Sequence, residues 1–524
     1  MPKISAGCNT CRKRKKGCDM QRPSCGQCKK LSLQCGGYGR ELKFIHTSSQ
    51  PCKKSEVHAI PDKVVSCSNK LRKSSTVICN TTGQALTSHA ESLSKSALVG
   101  SCPGLFLNIF LGNIGSNTEN LSQSCFTGWM VTTSQSNYEN PILRNALLAL
   151  GLARVGKLSH DPRIVYKSQQ FYSSALVQLY WRLNINSECL GDESLAGIMC
   201  LTLYEVIEGS PMRGLGWASH TDGATRLIKL QPNSSKWTDF KKKLFLGLRF
   251  FAVIRAIGSR HPVFLADPEW TCLPWLQAGN QHSHQLLQLL AAIPSILQEI
   301  DLIRDDHSSY LPVRVQEVSR KCCDLLENLS LWNISFQDGR GLLHWEMPSI
   351  ISIKKGKEFT REHPLFSTCI RFLDTETAHL QMLYWTAQLL ICNNLWLIYQ
   401  FVSGQENRSW HKINEPIVNS LLDDSDGIPY RMPELPLPAS ELYMVAVNVA
   451  RSLEYFLTPE LMTIGVTMFA FPVTVSLGYF QYFGLPEAEW FDFVFERILN
   501  SSGIDVGGFL DAVANENSLC LVKI

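Results

Sequence analysis

Six cysteines near the start of the chain have the spacing of a metal site. They form two copies of the pattern C-x2-C-x6-C, joined by a six-residue segment that contains Pro23. They are Cys8, Cys11, Cys18, Cys25, Cys28 and Cys35. Thiolates at this spacing suit zinc, which prefers four tetrahedral ligands. Six ligands can complete two such sites only if two thiolates bridge both metals, and the duplication makes Cys8 and Cys25 the expected bridges.

Other uses of clustered cysteines fit this sequence less well. A disulfide knot needs an oxidising compartment, and the first residues, MPKISAG, lack the apolar core of a secretory signal. Iron–sulfur spacing of the C-x2-C-x2-C-x3-C-P kind does not match this pattern. The sequence therefore predicts zinc as the cofactor, with two ions per chain.

Positive charge is concentrated around the cysteines. Residues 1–50 contain eleven Lys or Arg and two Asp or Glu, a net charge of about +9, whereas the whole chain carries only +4. Five of these cations form the run Arg12-Lys13-Arg14-Lys15-Lys16 between the second and third cysteines. A basic run alone usually means a solvated surface or a localisation signal. Metal ligands on both sides would hold this run rigidly on a short helix, which favours contact with a polyanion such as nucleic acid.

The cysteine module resembles the fungal six-cysteine binuclear zinc cluster regulators. It shares their cysteine repeat, the basic run, Asp19 after the third cysteine, the loop proline and the segment Cys25-Gly26-Gln27-Cys28-Lys29. The resemblance implies that one zinc is held by Cys8, Cys11, Cys18 and Cys25. It implies that the other is held by Cys8, Cys25, Cys28 and Cys35.

The resemblance also implies contacts with CGG triplets in the major groove of double-stranded DNA. The base-reading lysine of the family lies four residues after the second cysteine, which is Lys15 here, with Arg14 beside it. Both residue types can donate to the O6 and N7 acceptors of guanine. The expected DNA-binding residues are Arg12, Lys13, Arg14, Lys15, Lys16, Lys29 and Lys30. Gly17 stands where many family members have lysine, which would remove one phosphate contact.

The rest of the chain separates into a polar segment and a long apolar one. Residues 47–101 are rich in Ser, Thr, Lys and Asn and show no sustained apolar period, which predicts a flexible linker. Without apolar heptads a coiled-coil dimer has no support, so a monomer on one half-site and a homodimer through the large domain both remain open. The expected domains are 1–46 for the zinc cluster, 47–101 for the linker and 102–524 for a helical regulatory domain.

The large domain is predicted to be all-α. Apolar residues recur at helical spacing, and strand-like alternation is scarce. The expected helices are 141–156, 166–183, 192–209, 219–230, 239–257, 283–304, 312–334, 375–403, 440–456, 459–483 and 487–499. The stretches ALLALGLARVG, WASHTDGATRLIKL and FLADPEWTCLPW resemble the fungal-specific regulatory domain that often accompanies this cluster. That resemblance implies regulation of the attached DNA reader.

Several features of the large domain could suggest other functions but have simpler interpretations. Leu461–Phe480 is long enough to span a bilayer, but its polar residues and Pro472 favour a buried core helix. His282 and His284 lie two apart on a predicted helix and point to different faces, so we expect surface histidines and no metal pair. His220 is expected to be a hydrogen-bonded core residue. The acidic segment 421–426 is expected to be a loop.

The sequence therefore predicts a nuclear, sequence-specific transcription regulator that works with the transcription machinery and not with a membrane. Two alternatives stay open: a helical enzyme tethered to DNA by the zinc module, and a zinc protein that binds nucleic acid without sequence preference. The chain contains no nucleophile elbow, H-E-x-x-H motif, phosphate loop or dinucleotide fingerprint, so no catalytic residues are predicted and the chain is not expected to be an enzyme. By resemblance, the expected role is pathway-specific control of a biosynthetic or catabolic gene cluster in a fungus.

Overall fold

The computed structural model divides the chain into two compact units, Met1–Val77 and Ile78–Ile524. Residues 36–46 of the expected zinc-cluster domain and the expected linker 47–101 lie outside the described residues. The structure describes residues 8–14, 16–19, 21, 24–35, 110, 124–136, 139–185, 191–208, 215–231, 237–273, 276, 281–304, 310–349, 365–403, 418–423, 429–431, 437–458 and 461–495.

Two short helices form the described secondary structure of the first unit. They are α1, Asn9–Lys13, and α2, Gly26–Lys30, and each begins directly after a cysteine. The sulfur of Cys25 caps α2 by accepting a hydrogen bond from the backbone N–H of Cys28. The buried core of this unit consists of cysteine side chains, so the sulfur atoms take the place of an apolar core.

The second unit is built from helices. Those described are α3 (Gly128–Ser134), α4 (Pro141–Leu158), α5 (Pro162–Ile185), α6 (Asp192–Glu208), α7 (Leu215–Lys229), α8 (Asp239–Ser259), α9 (Pro268–Thr271), α10 (Gln281–Arg304), α11 (Leu311–Gln337), α12 (Thr375–Ser403), α13 (Ala439–Phe456), α14 (Met462–Phe483) and α15 (Glu487–Val494). Each helix predicted from the sequence is present, and the all-α class is confirmed. The largest shift of a start is four residues, at α5 and α7. At α4, Asn140 caps the helix ahead of Pro141, which explains why this start was predictable.

Two short antiparallel strand pairs were not predicted. β1, His344–Pro348, pairs with β2, Thr368–Phe372, and β3, Val418–Asp423, pairs with β4, Pro429–Arg431. The start of the acidic segment 421–426 therefore lies in a strand, and the prediction of a loop there was wrong. Strands of three to six residues give little periodic signal, and their pairing depends on residues distant along the chain.

One apolar core connects the helices of the second unit. α4 packs against α5 and α6, α10 against α8, α11 and α12, and α14 against α12, α13 and α15. The approach of α14 to α13 depends on Gly465, where a Cβ atom would collide with the carbonyl oxygen of Phe456. Phe469, Phe471 and Phe480 of α14 are fully buried.

Two helical segments are long and apolar enough to cross a membrane, His282–Ile303 and Thr463–Phe483. In the structure, 56% of the most apolar stretch of the first segment is buried inside the protein, and 83% of the corresponding stretch of the second segment is buried. The second includes Pro472 within a continuous helix and corresponds to the segment expected to be a core helix. Length and composition alone therefore do not distinguish these segments from ordinary core helices.

Candidate metal centre and nucleic-acid interface

The six cysteine sulfur atoms converge into two groups of four. One group comprises Cys8, Cys11, Cys18 and Cys25, and the other comprises Cys8, Cys25, Cys28 and Cys35. Within each group the sulfur atoms lie within 4.8 Å of one another. Cys8 and Cys25 belong to both groups, and their sulfur atoms are 3.6 Å apart. The structure thus brings together the same two sets of residues that the family resemblance implies.

The distances between sulfur atoms fit tetrahedral zinc. The sulfur atoms of Cys8 and Cys28 are 3.8 Å apart, and those of Cys11 and Cys25 are 3.7 Å apart. A Zn–S bond of about 2.3 Å places the sulfur atoms of a tetrahedral site about 3.8 Å apart. Burial raises the pKa of the Cys11 thiol to about 12 and also raises the pKa of Cys25. Buried thiols of this kind become thiolates when a soft cation compensates their charge, which is the role zinc would have here.

Backbone amides point at the sulfur atoms in both halves of the module. The N–H of Cys11 donates to the sulfur of Cys8 at 3.4 Å, and the N–H of Cys28 donates to that of Cys25 at 3.3 Å. The two contacts are equivalent under the sequence duplication. Hydrogen bonds to a thiolate favour its charged form, so the start of each helix supports its bridging cysteine.

Two further contacts hold the module together. The backbone N–H of Gly26 donates to both carboxylate oxygens of Asp19, each at 2.9 Å, and a Cβ atom at Gly26 would collide with that carboxylate. The hydroxyl of Thr10 donates to the carbonyl of Gln34 at 2.9 Å, which ties α1 to the end of the module. From the sequence, Asp19 and Gly26 could be noted only as part of the family resemblance. The contact from Thr10 was not predicted, because a single polar residue forms no recognisable sequence pattern.

The predicted DNA-binding cations lie on the surface of the module. Lys13 is exposed at the end of α1, and Arg14 and Lys16 are exposed just after it. Lys29 and Lys30 are exposed in the last turn of α2. Lys15 and the side chain of Arg12 lie outside the described part of the module. The described cations are accessible to a polyanion.

A groove of about 470 Å³ lies beside the cysteines of the first group. Arg14, Lys16, Gln27 and Leu31 contribute to its walls. Gly17, where many family members have lysine, also lines it and has no atom within 4 Å of a Cβ position. A Cβ atom at Gly17 would therefore meet no clash, so the backbone surroundings give no steric reason for the missing lysine.

Of the three histidines considered in the second unit, one lies as expected and two do not. Nε2 of His220 and the hydroxyl of Tyr172 form a hydrogen bond of 3.1 Å. Burial lowers the pKa of His220 to about 4, in agreement with the predicted core role. His282 and His284 are partly buried, and the surface expectation was wrong. The ring of His284 lies 3.7 Å from the sulfur of Cys125, and α10 also packs against α8, α11 and α12.

Comparisons with known proteins find a similar protein domain for each of the two parts of the chain. Residues 6–43 match the fungal Zn(2)-Cys(6) binuclear cluster domain, and residues 106–303 match the fungal specific transcription factor domain. Both parts of the chain are thus similar to domains of fungal transcription factors, in the order that the family resemblance predicts. The match of residues 6–43 supports zinc binding and DNA binding by the module.

Three curated relatives share parts of the chain. An uncharacterized protein of Emericella nidulans is 28% identical over 128 residues, which cover 24% of this chain and 27% of the relative. Sterol uptake control protein 2 of Candida albicans is 37% identical over 84 residues, 16% of this chain and 11% of the relative. Arginine metabolism regulation protein II of Saccharomyces cerevisiae is 48% identical over 42 residues, 8% of this chain and 5% of the relative.

The matched segments are short compared with these relatives. The chain spans about a quarter or less of the length of each of them. No solved structure gives a significant match.

Proposed function

We propose that the chain is a nuclear, sequence-specific regulator that recognises CGG triplets in double-stranded DNA through its cysteine module. The observation that carries this proposal is the pair of sulfur groups sharing Cys8 and Cys25, next to the exposed cations Lys13, Arg14 and Lys16. The metal would order the backbone, and the ordered backbone would hold the cations at fixed positions towards the DNA.

Two zinc ions would be held by the six cysteines. Cys8 and Cys25 would bridge the ions, Cys11 and Cys18 would complete one site, and Cys28 and Cys35 the other. Zinc supplies the folding free energy of a module that has too few residues for an apolar core, and such binding is worth about 10–16 kcal/mol at neutral pH.

The basic residues would divide into base-reading and phosphate-binding groups. Lys15 would contact the guanine edge, with Arg14 as its neighbour. Arg12, Lys13, Lys16, Lys29 and Lys30 would contact phosphates, which supply affinity and register but carry no sequence information directly.

The second unit would regulate the attached DNA reader. We propose domain limits of 1–46 for the reader, 47–101 for the linker and 102–524 for the regulatory domain, which would engage the transcription machinery and could supply a homodimer contact. Two of the relatives are named for control of sterol uptake and of arginine metabolism. Their names support control of a metabolic pathway, here a biosynthetic or catabolic gene cluster.

Fluorescence anisotropy with the zinc-loaded full chain tests DNA recognition. A duplex with CGG triplets should bind more tightly than the same duplex with the triplets scrambled, because each base contact discriminates by about 1–3 kcal/mol. Single-stranded RNA of equal length serves as a competitor at each salt concentration. Equal affinity for all three would overturn the proposal and support a zinc module without sequence preference.

A further inference from the structure

An open cleft of about 650 Å³ lies between α7 and α8 in the second unit. α7 contributes Asp222, Arg226 and Lys229, which lie three or four residues apart and therefore share one helix face. α8 contributes Arg255, and the chain after α8 closes one end of the cleft with Phe264. A cleft of this volume is in the range that small organic molecules occupy in proteins.

The walls of the cleft carry more positive than negative charge. Arg226, Lys229 and Arg255 face a single lining carboxylate, Asp222. Asp222 accepts a hydrogen bond from Nη2 of Arg255 at 3.3 Å. The side chain of Arg226 is exposed, and its guanidinium has no ion-pair or hydrogen-bond partner among the residues that the structure describes. The cleft therefore has cationic groups available for an anion.

The remaining lining of the cleft combines an apolar part with the polar residues Thr225, Ser259 and His261. Ala252 and Ala256 of α8, together with Val263 and Phe264, form the apolar part of the wall. The ammonium of Lys229 lies 5.2 Å from the centre of the Phe264 ring, so cationic and aromatic surfaces meet at one end. A ligand with one anionic group and one apolar group would satisfy both kinds of surface.

We propose that this cleft binds a small amphipathic organic anion, a carboxylate or phosphate attached to an aromatic or aliphatic group. Its anionic group would contact the guanidinium of Arg226, which can donate two parallel hydrogen bonds to a carboxylate or phosphate. The same group would compete with Asp222 for Arg255, so binding would weaken the ion pair between α7 and α8. A role as effector rests on the proposed function in transcription, whereas the binding itself does not.

Isothermal titration calorimetry with the zinc-loaded full chain tests the binding. The probes are benzoate and phenyl phosphate, which separate the carboxylate from the phosphate chemistry, with benzamide as the neutral control and benzylamine as the cationic control. One or both anions should bind, and the neutral and cationic molecules should bind at least about tenfold more weakly, because charge-assisted hydrogen bonds are the strong ones. Equal binding of benzamide and the anions would overturn the proposal.

Matched variants assign the binding to the cleft. Arg226→Gln should weaken binding of the better anion about tenfold, whereas Arg182→Gln at an exposed position near the end of α5 should have no effect. Lys167→Gln is the control for Lys229→Gln, because Lys167 also lies over an aromatic ring, with its ammonium 5.5 Å from the centre of the Phe171 ring. If the control variants lose as much affinity as the cleft variants, the anion binds elsewhere and the proposal is wrong.

A third variant predicts a gain that mere damage to the fold would not produce. Asp222→Asn removes the one carboxylate that lines the cleft and so makes the cleft more positive by one charge, so affinity for the anion should rise several-fold at low salt. Unchanged or weaker anion binding by this variant would contradict the competition. The same preparations are titrated with CGG DNA. DNA binding without anion binding would overturn only the cleft proposal, and anion binding without DNA binding would overturn only the proposed DNA recognition.

Discussion

At the residue scale, the two bridging cysteines should behave differently from the other four. Cys8 and Cys25 are each members of both sulfur groups, whereas Cys11 belongs to one. Cys8→Ala removes a ligand from both sites and should abolish most zinc binding. Cys11→Ala damages one site chiefly and should retain close to one ion per chain. Native mass spectrometry of the full chain measures the ratio.

A control for zinc stoichiometry is available in the second unit. Cys272 is exposed and outside the module, so Cys272→Ala should keep two ions per chain. A ratio of one zinc ion in the unaltered chain would rule out the binuclear arrangement.

The cations between Cys11 and Cys18 should also differ from one another. Lys15→Ala should remove most of the preference for CGG over a scrambled triplet, because base contacts discriminate by about 1–3 kcal/mol. Lys16→Ala should weaken both duplexes by a similar factor and lower the slope of log affinity against log salt by about one unit. Anisotropy titrations at several salt concentrations measure both effects. Full CGG preference in the Lys15 variant would transfer the reading role to Arg14.

A buried histidine in the second unit predicts a pH dependence of stability. His379 is fully buried, packs against the rings of Phe126 and Phe250, and neither of its ring nitrogens has a hydrogen-bond partner among the described residues. Burial lowers its pKa to about 3. The unfolded chain therefore binds a proton that the folded chain does not, below the ordinary histidine pKa of about 6.5. The free energy of unfolding should fall as pH drops through this window.

His379→Phe should flatten that pH dependence. The substitution removes a slope of up to about 1.4 kcal/mol per pH unit between pH about 6.5 and the onset of acid unfolding, and it preserves the aromatic packing. Urea unfolding at pH 5 and pH 7 measures the difference, with His261→Phe at an exposed position as the control. An unchanged slope in the His379 variant would show that other groups dominate the acid response.

At the element scale, glycines decide how closely the helices approach. Gly465→Ala would drive a Cβ atom into the backbone carbonyl of Phe456, where α14 meets the end of α13. Because backbone cannot move aside as a flexible side chain can, we expect a loss of about 1–3 kcal/mol in the free energy of unfolding. Thermal unfolding followed by circular dichroism measures the effect.

A second helical glycine provides the opposite expectation. Gly223 lies inside α7, and no atom lies within 4 Å of a Cβ position there. Gly223→Ala should therefore stabilise the domain by about 0.5–1 kcal/mol, through the higher helix propensity of alanine. Equal effects at Gly223 and Gly465 would contradict the packing of α14 described above.

At the scale of the whole molecule, the two units have separate cores. The buried cluster of the first unit consists of cysteines, whereas the large apolar cluster begins at Phe110 and continues through Val494. We expect the module to depend on bound zinc for its folding free energy, whereas apolar burial stabilises the second unit.

Removal of zinc by a chelator should therefore abolish DNA binding and leave the unfolding midpoint of the helical unit unchanged. Anisotropy measures DNA binding, and circular dichroism at 222 nm follows the helices in the same sample. Addition of zinc under reducing conditions should restore binding. A large shift of the helical midpoint on chelation would mean that the two units stabilise each other.

Local patterns in the sequence determined the metal chemistry and most of the helices. The cysteine repeat specifies ligand type and number within 28 residues, and the period of 3.6 residues per turn reports a helix wherever one face is buried. Both signals arise between residues close together along the chain, so they can be read without knowledge of the fold. The start of α4 was predictable for the same reason, since Asn140 and Pro141 act on their own helix.

Features that depend on contacts between residues far apart in the sequence could be read only from the tertiary structure. The burial of His284 follows from three helices that cover α10, the strand pairs follow from register between separate segments, and the cleft requires Arg226 of α7 beside Arg255 of α8. Gly465 looks like any helical glycine until Phe456 is placed against it. Periodicity shows which face of a helix is buried, but packing against distant segments determines what that face contacts.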